Sequence, residues 1–302
     1  MSVLVVGSVA LDTIETPAGK MDDALGGAAT YISLSANYFT QPIRLVAVIG
    51  DDFPQQHVNF LDERMIDLAG LQKETGKTFR WGGRYHADLN TRDTLFTELG
   101  VFEHFNPVIP ESYRKSQYVC LGNIDPVLQL RVLEQIERPR LTVCDTMNLW
   151  IDIKNSELKK TLSMVDVIIV NDSEARMLTK ESNLITAGKN LLTMGPRVVI
   201  IKKGEHGAIL MTENSFFSAP AYPLETIFDP TGAGDCFAGG FIGWIARTDD
   251  VSDDNLKRAV IYGSVLASFC VEQFSIDGIR DLSLVEIQER FREFQSLTHF
   301  EE

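Results

Sequence analysis

At residues 229–240 the chain reads Asp229-Pro230-Thr231-Gly232-Ala233-Gly234-Asp235-Cys236-Phe237-Ala238-Gly239-Gly240. Gly232 and Gly234 permit a tight turn and a close approach of the backbone to a ligand. The small and apolar residues 236–246 predict a helix, whose first amides and positive dipole end would form an anion site. Asp235 would then lie beside a bound phosphate. Because that placement is electrostatically unfavourable, we interpret Asp235 as a base that takes a proton from a hydroxyl attacking phosphorus.

The composition indicates a globular protein that does not bind nucleic acid. The chain has 302 residues, of which 44% are hydrophobic, and it carries a formal net charge of −14. This negative charge opposes nonspecific binding of nucleic acids, which depends on basic patches. The four cysteines form no CxxC pair, so we expect reduced core thiols in a cytoplasmic protein. The N-terminus lacks the basic start of a signal peptide, and no apolar run approaches the ~20 residues of a membrane span.

Short β-branched runs alternate with longer helical patterns along the chain. The strand candidates are Val3–Val6, Leu45–Ile49, Tyr118–Leu121, Leu141–Cys144, Val165–Val170 and Val198–Lys202. The helix candidates are Ala28–Phe39, Pro126–Glu137, Asn155–Leu162, Ser173–Leu178, Ile185–Leu192, Cys236–Ala246, Asn255–Val271 and Leu284–Phe294. This alternation predicts an α/β fold: a doubly wound, mostly parallel sheet flanked by helices. We expect a single domain spanning residues 1–302.

One segment, about 76–105, departs from that alternation. The runs 78–81 and 84–87 flank Gly82-Gly83, which predicts a hairpin with its turn at the two glycines. We expect this insertion, with part of 11–25 as a further candidate, to form a small β lid over a site. An edge hairpin without a role in the site is the alternative. Because uncovered edge strands pair readily, a homodimer through the lid is also expected.

Two familiar glycine motifs are absent from the chain. No GxxxxGK[ST] stretch occurs, so a Walker-type phosphate loop is not supported. The dinucleotide pattern GxGxxG fails because Phe237 stands at its third glycine. A nicotinamide-dependent oxidoreductase is therefore disfavoured.

The stretch 229–240 resembles the C-terminal signature of the ribokinase/PfkB family of small-molecule kinases. Three other segments resemble the family's motifs and occur in its order: Gly26-Gly27-Ala28-Ala29, Asn171-Asp172-Ser173-Glu174 and Lys203-Gly204-Glu205-His206-Gly207. The resemblance covers roughly residues 1–280. It implies a ribokinase-like fold and an ATP-dependent phosphotransferase that acts on a hydroxyl of a sugar or nucleoside.

The resemblance also implies roles for the residues of its C-terminal signature. Asp235 would be the catalytic base, and Gly232, Ala233 and Gly234 would form the anion hole. Such an arrangement suits phosphoryl transfer, in which alignment and charge neutralisation dominate. Thr231 would contact ATP.

The nucleotide and its metal ion would bind near two strand ends. Asn171 and Glu174 follow an apolar strand, and hard oxygen ligands suit Mg²⁺, so Glu174 is expected to hold Mg²⁺ indirectly through water. A simple helix start with a capping arrangement is the alternative. Lys203, Gly204 and Gly207 would contact ATP, although a solvated surface lysine is an equal interpretation of Lys203.

Some relatives hold a monovalent cation at the C-terminal signature. In this chain Asp229 and Thr231 would contribute to such a site, with K⁺ as the ion and further ligands from about 268–278.

The acceptor would bind near the N-terminal glycine pair. The resemblance assigns sugar hydroxyls to Asp12, and a carboxylate accepts two hydroxyl hydrogen bonds. Gly26 and Gly27 would let the backbone approach the sugar. Thr30-Tyr31 departs from the family, which often has Asn here, so Tyr31 either stacks on a ring of the acceptor or packs in the core.

Other polar residues are weaker candidates for the same cleft. Asn90 and Arg92 of the lid segment are candidate acceptor contacts, with a surface loop as the alternative. Asp145 and Asn148 end another strand and are cleft candidates. A noncatalytic nucleotide- or sugar-binding regulator on the same fold is the alternative function.

Overall fold

The computed structural model of the protein describes residues 1–299. The strands of the described chain are β1 Val3–Val6, β2 Ala10–Thr16, β3 Gly19–Gly26, β4 Ile43–Ile49, β5 Ile66–Lys73, β6 Arg80–Tyr85, β7 Arg92–Glu98, β8 Tyr118–Leu121, β9 Leu141–Asp145, β10 Val167–Asn171, β11 Val198–Lys202, β12 Ala208–Met211 and β13 Phe216–Ala219. The helices are α1 Ala28–Asn37, α2 Gln55–Glu63, α3 Pro126–Leu133, α4 Asn148–Ile153, α5 Asn155–Leu162, α6 Asp172–Thr179, α7 Leu184–Leu192, α8 Ala233–Thr248, α9 Asp253–Cys270, α10 Asp277–Arg280 and α11 Leu284–Thr298.

A nine-stranded sheet forms the centre, in the order β13-β12-β11-β10-β9-β8-β1-β4-β5. Every pair from β11 to β5 is parallel, and β12 pairs antiparallel with both of its neighbours. The predicted doubly wound, mostly parallel sheet is confirmed.

Alternation along the central strands builds one core on each face of this sheet. Val3 and Val5 of β1 belong to the core that contains α1, α8 and α9, whereas Leu4 and Val6 belong to the core that contains α5, α6 and α7. Successive strand side chains point to opposite faces, so an entirely apolar strand is stable only between two helical layers. Each such side chain contributes about 1.5–3 kcal/mol by burial.

A second, four-stranded sheet lies apart from the first, in the order β3-β2-β6-β7. Strands β2 and β6 pair in parallel, and the two outer pairs are antiparallel. Ile14, Ala24 and Tyr85 form a small core of their own beneath it. Because β2 leads out of β1 and β3 leads into α1, the sheet is tied to the same strand end as the predicted site.

The hairpin turn predicted at Gly82-Gly83 is wrong. Both glycines lie inside β6, where a bulge shifts its register against β7. A Cβ on Gly82 would lie 2.4 Å from the Phe96 ring, and one on Gly83 would lie 2.1 Å from the Trp81 ring. The glycines therefore accommodate aromatic rings on the sheet, and the chain reverses at 86–91 instead.

Other boundaries moved by a few residues. Val165 lies before β10, and α8 begins at Ala233 rather than at Cys236. All four cysteines are free and buried, as expected. Within residues 1–299, none of the helices combines the length and the apolar character needed to cross a membrane.

Candidate active site

The signature stretch forms the start of α8. Gly232 precedes the helix with φ 77°, in the left-handed region that favours glycine. A Cβ at Gly232 would also lie 2.5 Å from the Tyr31 ring. The amide of Ala233 donates to Pro230 O at 3.3 Å, and the amides of Gly234 and Asp235 come next at the positive end of the helix. This turn, residues 229–235, is called the anion loop below.

Asp235 lies in the first turn of α8 and is partly exposed. Burial raises the pKa of its carboxyl above the usual range, and the negative charge of Asp145 raises it further. The positive charges of Lys202 and Arg92 act in the opposite direction. A carboxylate with a raised pKa is a stronger base at neutral pH than an ordinary aspartate.

Three polar residues end three neighbouring strands of the central sheet. Asp145 ends β9, Asn171 ends β10 and Lys202 ends β11. Asn171 and Lys202 are paired in register. Because parallel strands meet at one edge of the sheet, their carboxyl ends form a crevice, the usual position of ligands in open α/β sheets.

Glu174 is connected to this edge by a capping box. The Asn171 side chain accepts from the Glu174 amide at 2.8 Å, and Glu174 Oε2 accepts from the Asn171 amide at 2.7 Å. The capping arrangement is therefore present. Glu174 is buried, which raises the pKa of its carboxyl, and the charge of Asp145 raises it further. Glu174 Oε1 takes no part in the capping box, and a carboxylate oxygen is the kind of hard ligand that suits a hydrated Mg²⁺.

Lys202 was not expected at this site. Its ammonium forms an ion pair with Asp145, with 3.7 Å between Nζ and Oδ2, and both side chains are largely buried. The prediction concerned Lys203, the next residue along the chain. The sequence did contain a signal for Lys202. A lysine that directly follows a buried apolar strand lies near the sheet edge, where its charge must be compensated by an anionic group.

A cavity of about 550 Å³ opens beside the anion loop. It is lined by Lys202, Gly204, Gly207, Ala233 and Gly234, together with apolar side chains from α8, α9 and the segment 221–227. Lys203 is not among its described lining residues.

Asn90 lies on this side of the site. It lines the same cavity, and a Cβ on Gly204 would lie 3.0 Å from its Oδ1. The 86–91 turn of the second sheet thus reaches the loop after β11, and the role of Asn90 as an acceptor contact stays a prediction.

Asp12 forms the opposite side of the site. It is buried on β2, and a Cβ on Gly26 would lie 2.0 Å from its Oδ2, so only glycine fits there. Burial, followed by the charge of Asp229, raises the pKa of Asp12 to about 8, although a hydrogen bond from the Gly27 amide and the charge of Arg92 lower it. The structure therefore brings Asp12, Gly26 and Gly27 together.

Arg92 reaches this group from β7 of the second sheet. Its guanidinium stacks over the Trp81 ring, 5.2 Å from the centroid. It lowers the pKa of Asp12, Glu174 and Asp235, so its charge faces both sides of the site.

Tyr31 is 1% exposed and lies beneath Gly232 in the core. This packing favours a role of Tyr31 in the core over stacking on a ring of the acceptor. Its hydroxyl makes no hydrogen bond of normal length with the described residues.

Asp229 ties the anion loop to the segment after α9. One of its carboxylate oxygens accepts from the Thr231 amide, and the other accepts from the Ser275 amide, each at 2.8 Å. Thr231 Oγ1 in turn bonds to Tyr85 Oη at 3.2 Å, which links the loop to β6. No cluster of three or more acidic, histidine or cysteine side chains suited to a metal ion occurs within the described chain.

Comparison with known proteins gives consistent matches over most of the chain. A model of the pfkB family carbohydrate kinases matches residues 2–278. A cytidine kinase of Thermococcus kodakarensis is 33% identical over 252 residues, which are 82% of this chain and 89% of that protein.

Two solved structures have the same fold. A nucleoside kinase of Methanocaldococcus jannaschii has a TM-score of 0.78 at 20% identity, covering 97% of this chain and 98% of that one. An E. coli protein described as a candidate ribokinase II, solved with ATP and Mg²⁺, has a TM-score of 0.79 at 18% identity, covering 97% and 99%. The expected ribokinase-like fold is confirmed.

Proposed function

Because the chain belongs to the pfkB family of carbohydrate kinases, we propose that it transfers the γ-phosphoryl group of ATP to a nucleoside hydroxyl, with cytidine as the first candidate acceptor. That the chain is a small-molecule kinase follows from the family. The choice of a nucleoside rests on the 33% identical cytidine kinase. The single observation that supports the mechanism is the position of Asp235, in the first turn of the helix that begins at the anion loop.

ATP would occupy the 550 Å³ cavity with its phosphates at the anion loop. The amides of Gly234 and Asp235 and the helix dipole would stabilise the negative charge there. Glu174 would hold Mg²⁺ through water, beside the Asn171 cap. When bound, Mg²⁺ would neutralise charge on the phosphate oxygens. Gly204 and Gly207 would lie against the nucleotide, since both line the cavity.

The acceptor would bind on the Asp12 side. Its sugar hydroxyls would donate to the Asp12 carboxylate, beside the backbone of Gly26 and Gly27. The charge of Arg92 would oppose the rise in the pKa of Asp12 and so favour its carboxylate form when sugar hydroxyls bind.

Asp235 would remove the proton from the attacking hydroxyl. The hydroxyl oxygen forms a bond to the γ-phosphorus, the bond from that phosphorus to the bridging oxygen breaks, and ADP leaves. The proton passes to Asp235 and then to solvent. The raised pKa of Asp235 suits a group that must accept a proton near neutral pH.

We also propose that the β3-β2-β6-β7 sheet is the lid of a one-domain protein and that its edges pair in a homodimer. Strand β7 is largely exposed, which supports this pairing. A monomer by light scattering at working concentrations would contradict the dimer. The free, buried cysteines support a cytoplasmic location.

An ADP-release assay over cytidine, uridine, inosine, adenosine, ribose and fructose, with MgATP, tests the function. We expect release above background with at least one nucleoside, and cytidine as the best. Release only with a free sugar would contradict the nucleoside assignment. Tight binding by calorimetry, without transfer to any acceptor, would instead favour the noncatalytic regulator.

The same assay with and without K⁺ tests the cation proposal for Asp229 and Thr231. Stimulation by K⁺ but not by Li⁺ would support a site at the segment that Asp229 joins to Ser275. Equal rates in both salts would contradict it.

A further inference from the structure

Lys202 is the one charged residue of a strand whose other residues are apolar. It is the last residue of β11, whose preceding four residues are buried, and its side chain is 18% exposed. Lysine is rarely buried unless its charge is compensated. Here burial lowers the pKa of Lys202, but the charges of Asp145, Glu174 and Asp235 raise it above the ordinary value. The ammonium therefore stays charged.

The ammonium lies directly against the anion loop. A Cβ added to Gly234 would lie 2.6 Å from Lys202 Nζ, which places the ammonium beside the backbone of this glycine. Lys202 also lines the 550 Å³ cavity. One positive charge is thus held beside the helix start, on the side where a ligand can enter.

The pair with Asp145 leaves the donors of this ammonium available. The separation of 3.7 Å between Nζ and Oδ2 is longer than the ~2.7–2.9 Å of a charge-assisted hydrogen bond. Asp145 itself accepts from the Thr146 amide at 2.8 Å, which fixes its carboxylate. Asp145 can therefore position the lysine while the lysine donates to another anion.

We propose that Lys202 binds the outer phosphates of the nucleotide at the anion loop and that Asp145 is its positioning residue. This deepens the proposed function and rests on it. It also separates Lys202 from Lys203: adjacent residues at a strand end point to opposite faces, and only Lys202 lines the described cavity.

Calorimetric binding of MgATP and of AMP to Lys202→Met tests the proposal. Since a hydrogen bond to a charged group is worth about 1.5–3 kcal/mol, we expect MgATP affinity to fall about 10-fold to 100-fold. AMP lacks the outer phosphates, so its affinity should change less than about twofold. Lys189→Met, at an exposed position on α7, is the matched control and should leave both affinities unchanged.

A second variant separates phosphate binding from a purely structural ion pair. The double variant Lys202→Met/Asp145→Asn removes both charges of the ion pair, so no uncompensated carboxylate remains at position 145. If the pair served only folding, this variant would recover MgATP affinity. We expect it to fold and to stay as weak for MgATP as Lys202→Met.

Three results would overturn the proposal: wild-type MgATP affinity in Lys202→Met, an equal loss for AMP, or recovery in the double variant. A larger loss of MgATP affinity in Lys203→Met than in Lys202→Met would also contradict it. The binding measurements do not depend on turnover. If the wild-type protein transferred no phosphoryl group to any acceptor, the proposed function would fail. The MgATP and AMP affinities would still show whether Lys202 binds the outer phosphates.

Discussion

The two sides of the site compensate their buried acids differently. On the nucleotide side, Asp145 and Glu174 face Lys202, a lysine of the central sheet itself. On the proposed acceptor side, the effect of burial on Asp12 is opposed by the Gly27 amide and by the charge of Arg92 of the second sheet. The Asp145–Lys202 pair is therefore made within the central sheet, whereas Asp12 is partly compensated by a residue of the second sheet. This difference predicts that variants of Arg92 weaken acceptor binding more than nucleotide binding.

Replacing the carboxyl group of Asp12 should have the largest effect on that comparison. In Asp12→Asn the amide oxygen can keep the hydrogen bond from the Gly27 amide, but one carboxylate acceptor for sugar hydroxyls is lost. We expect KM for the acceptor to rise by about 100-fold, since hydrogen bonds to charged groups contribute about 1.5–3 kcal/mol. The affinity for MgATP by calorimetry should stay within about twofold. An equal loss on both sides would contradict the separation of the two halves.

Although Asp12→Asn should weaken acceptor binding, it should make the folded protein more stable relative to wild type as pH rises. Because the folded protein holds a proton on Asp12 up to a pKa of about 8, while the unfolded chain releases it near 3.8, wild-type stability falls as pH rises between those values. Asp12→Asn lacks this loss. Urea titrations at pH 5 and pH 8 should show the variant gaining about 4 kcal/mol relative to wild type over that interval. A difference that does not change with pH would show that Asp12 is ionised in the folded protein.

Gly232→Ala probes the nucleotide side through its backbone. The new Cβ would sit at φ 77° and 2.5 Å from the Tyr31 ring, so we expect the free energy of unfolding to fall by about 3 kcal/mol. Tyr31→Leu in the same chain should restore part of that loss in a urea titration, because it removes the ring but not the backbone strain. No loss in Gly232→Ala would contradict the described turn.

Arg92→Met should give the smallest effect, confined to the acceptor. Losing this partly screened charge should raise acceptor KM by about 10-fold and change KM for ATP by less. Arg84→Met is the control on the neighbouring strand, since Arg84 pairs with Glu15 at the sheet surface. A larger change for ATP than for the acceptor would place Arg92 on the nucleotide side.

Periodicity and composition predicted most of the central sheet. Runs such as Val3–Val6 and Val198–Ile201 are apolar throughout because helices cover both faces of a parallel sheet. The second sheet was harder to predict. Strands β2 and β3 mix polar and apolar residues. They pair with each other, and β2 is joined to the rest of the sheet by its pairing with distant β6. Gly82-Gly83 has the composition of a turn, yet ring packing keeps it in a strand.

The site was predicted as a set of segments rather than as a geometry. The glycine pattern predicted a helix after the loop with Asp235 beside its start, although the helix begins at Ala233 and already includes Asp235. It did not predict Lys202, because choosing between two adjacent lysines requires knowing which side of β11 faces the anion loop. Nor did it predict that Asn90 lies beside Gly204, which depends on how the second sheet packs against the loop after β11. The roles of these residues stay predictions until they are measured.

The central claim is that Asp235 removes the proton of the acceptor hydroxyl. Single-turnover transfer from γ-labelled ATP to the best acceptor, compared with calorimetric affinity for MgATP, tests it in Asp235→Asn. General-base catalysis contributes about 10²–10⁴-fold. We expect a transfer rate at least about 100-fold below wild type and MgATP affinity within about threefold. A transfer rate equal to that of the wild-type protein would contradict the claim.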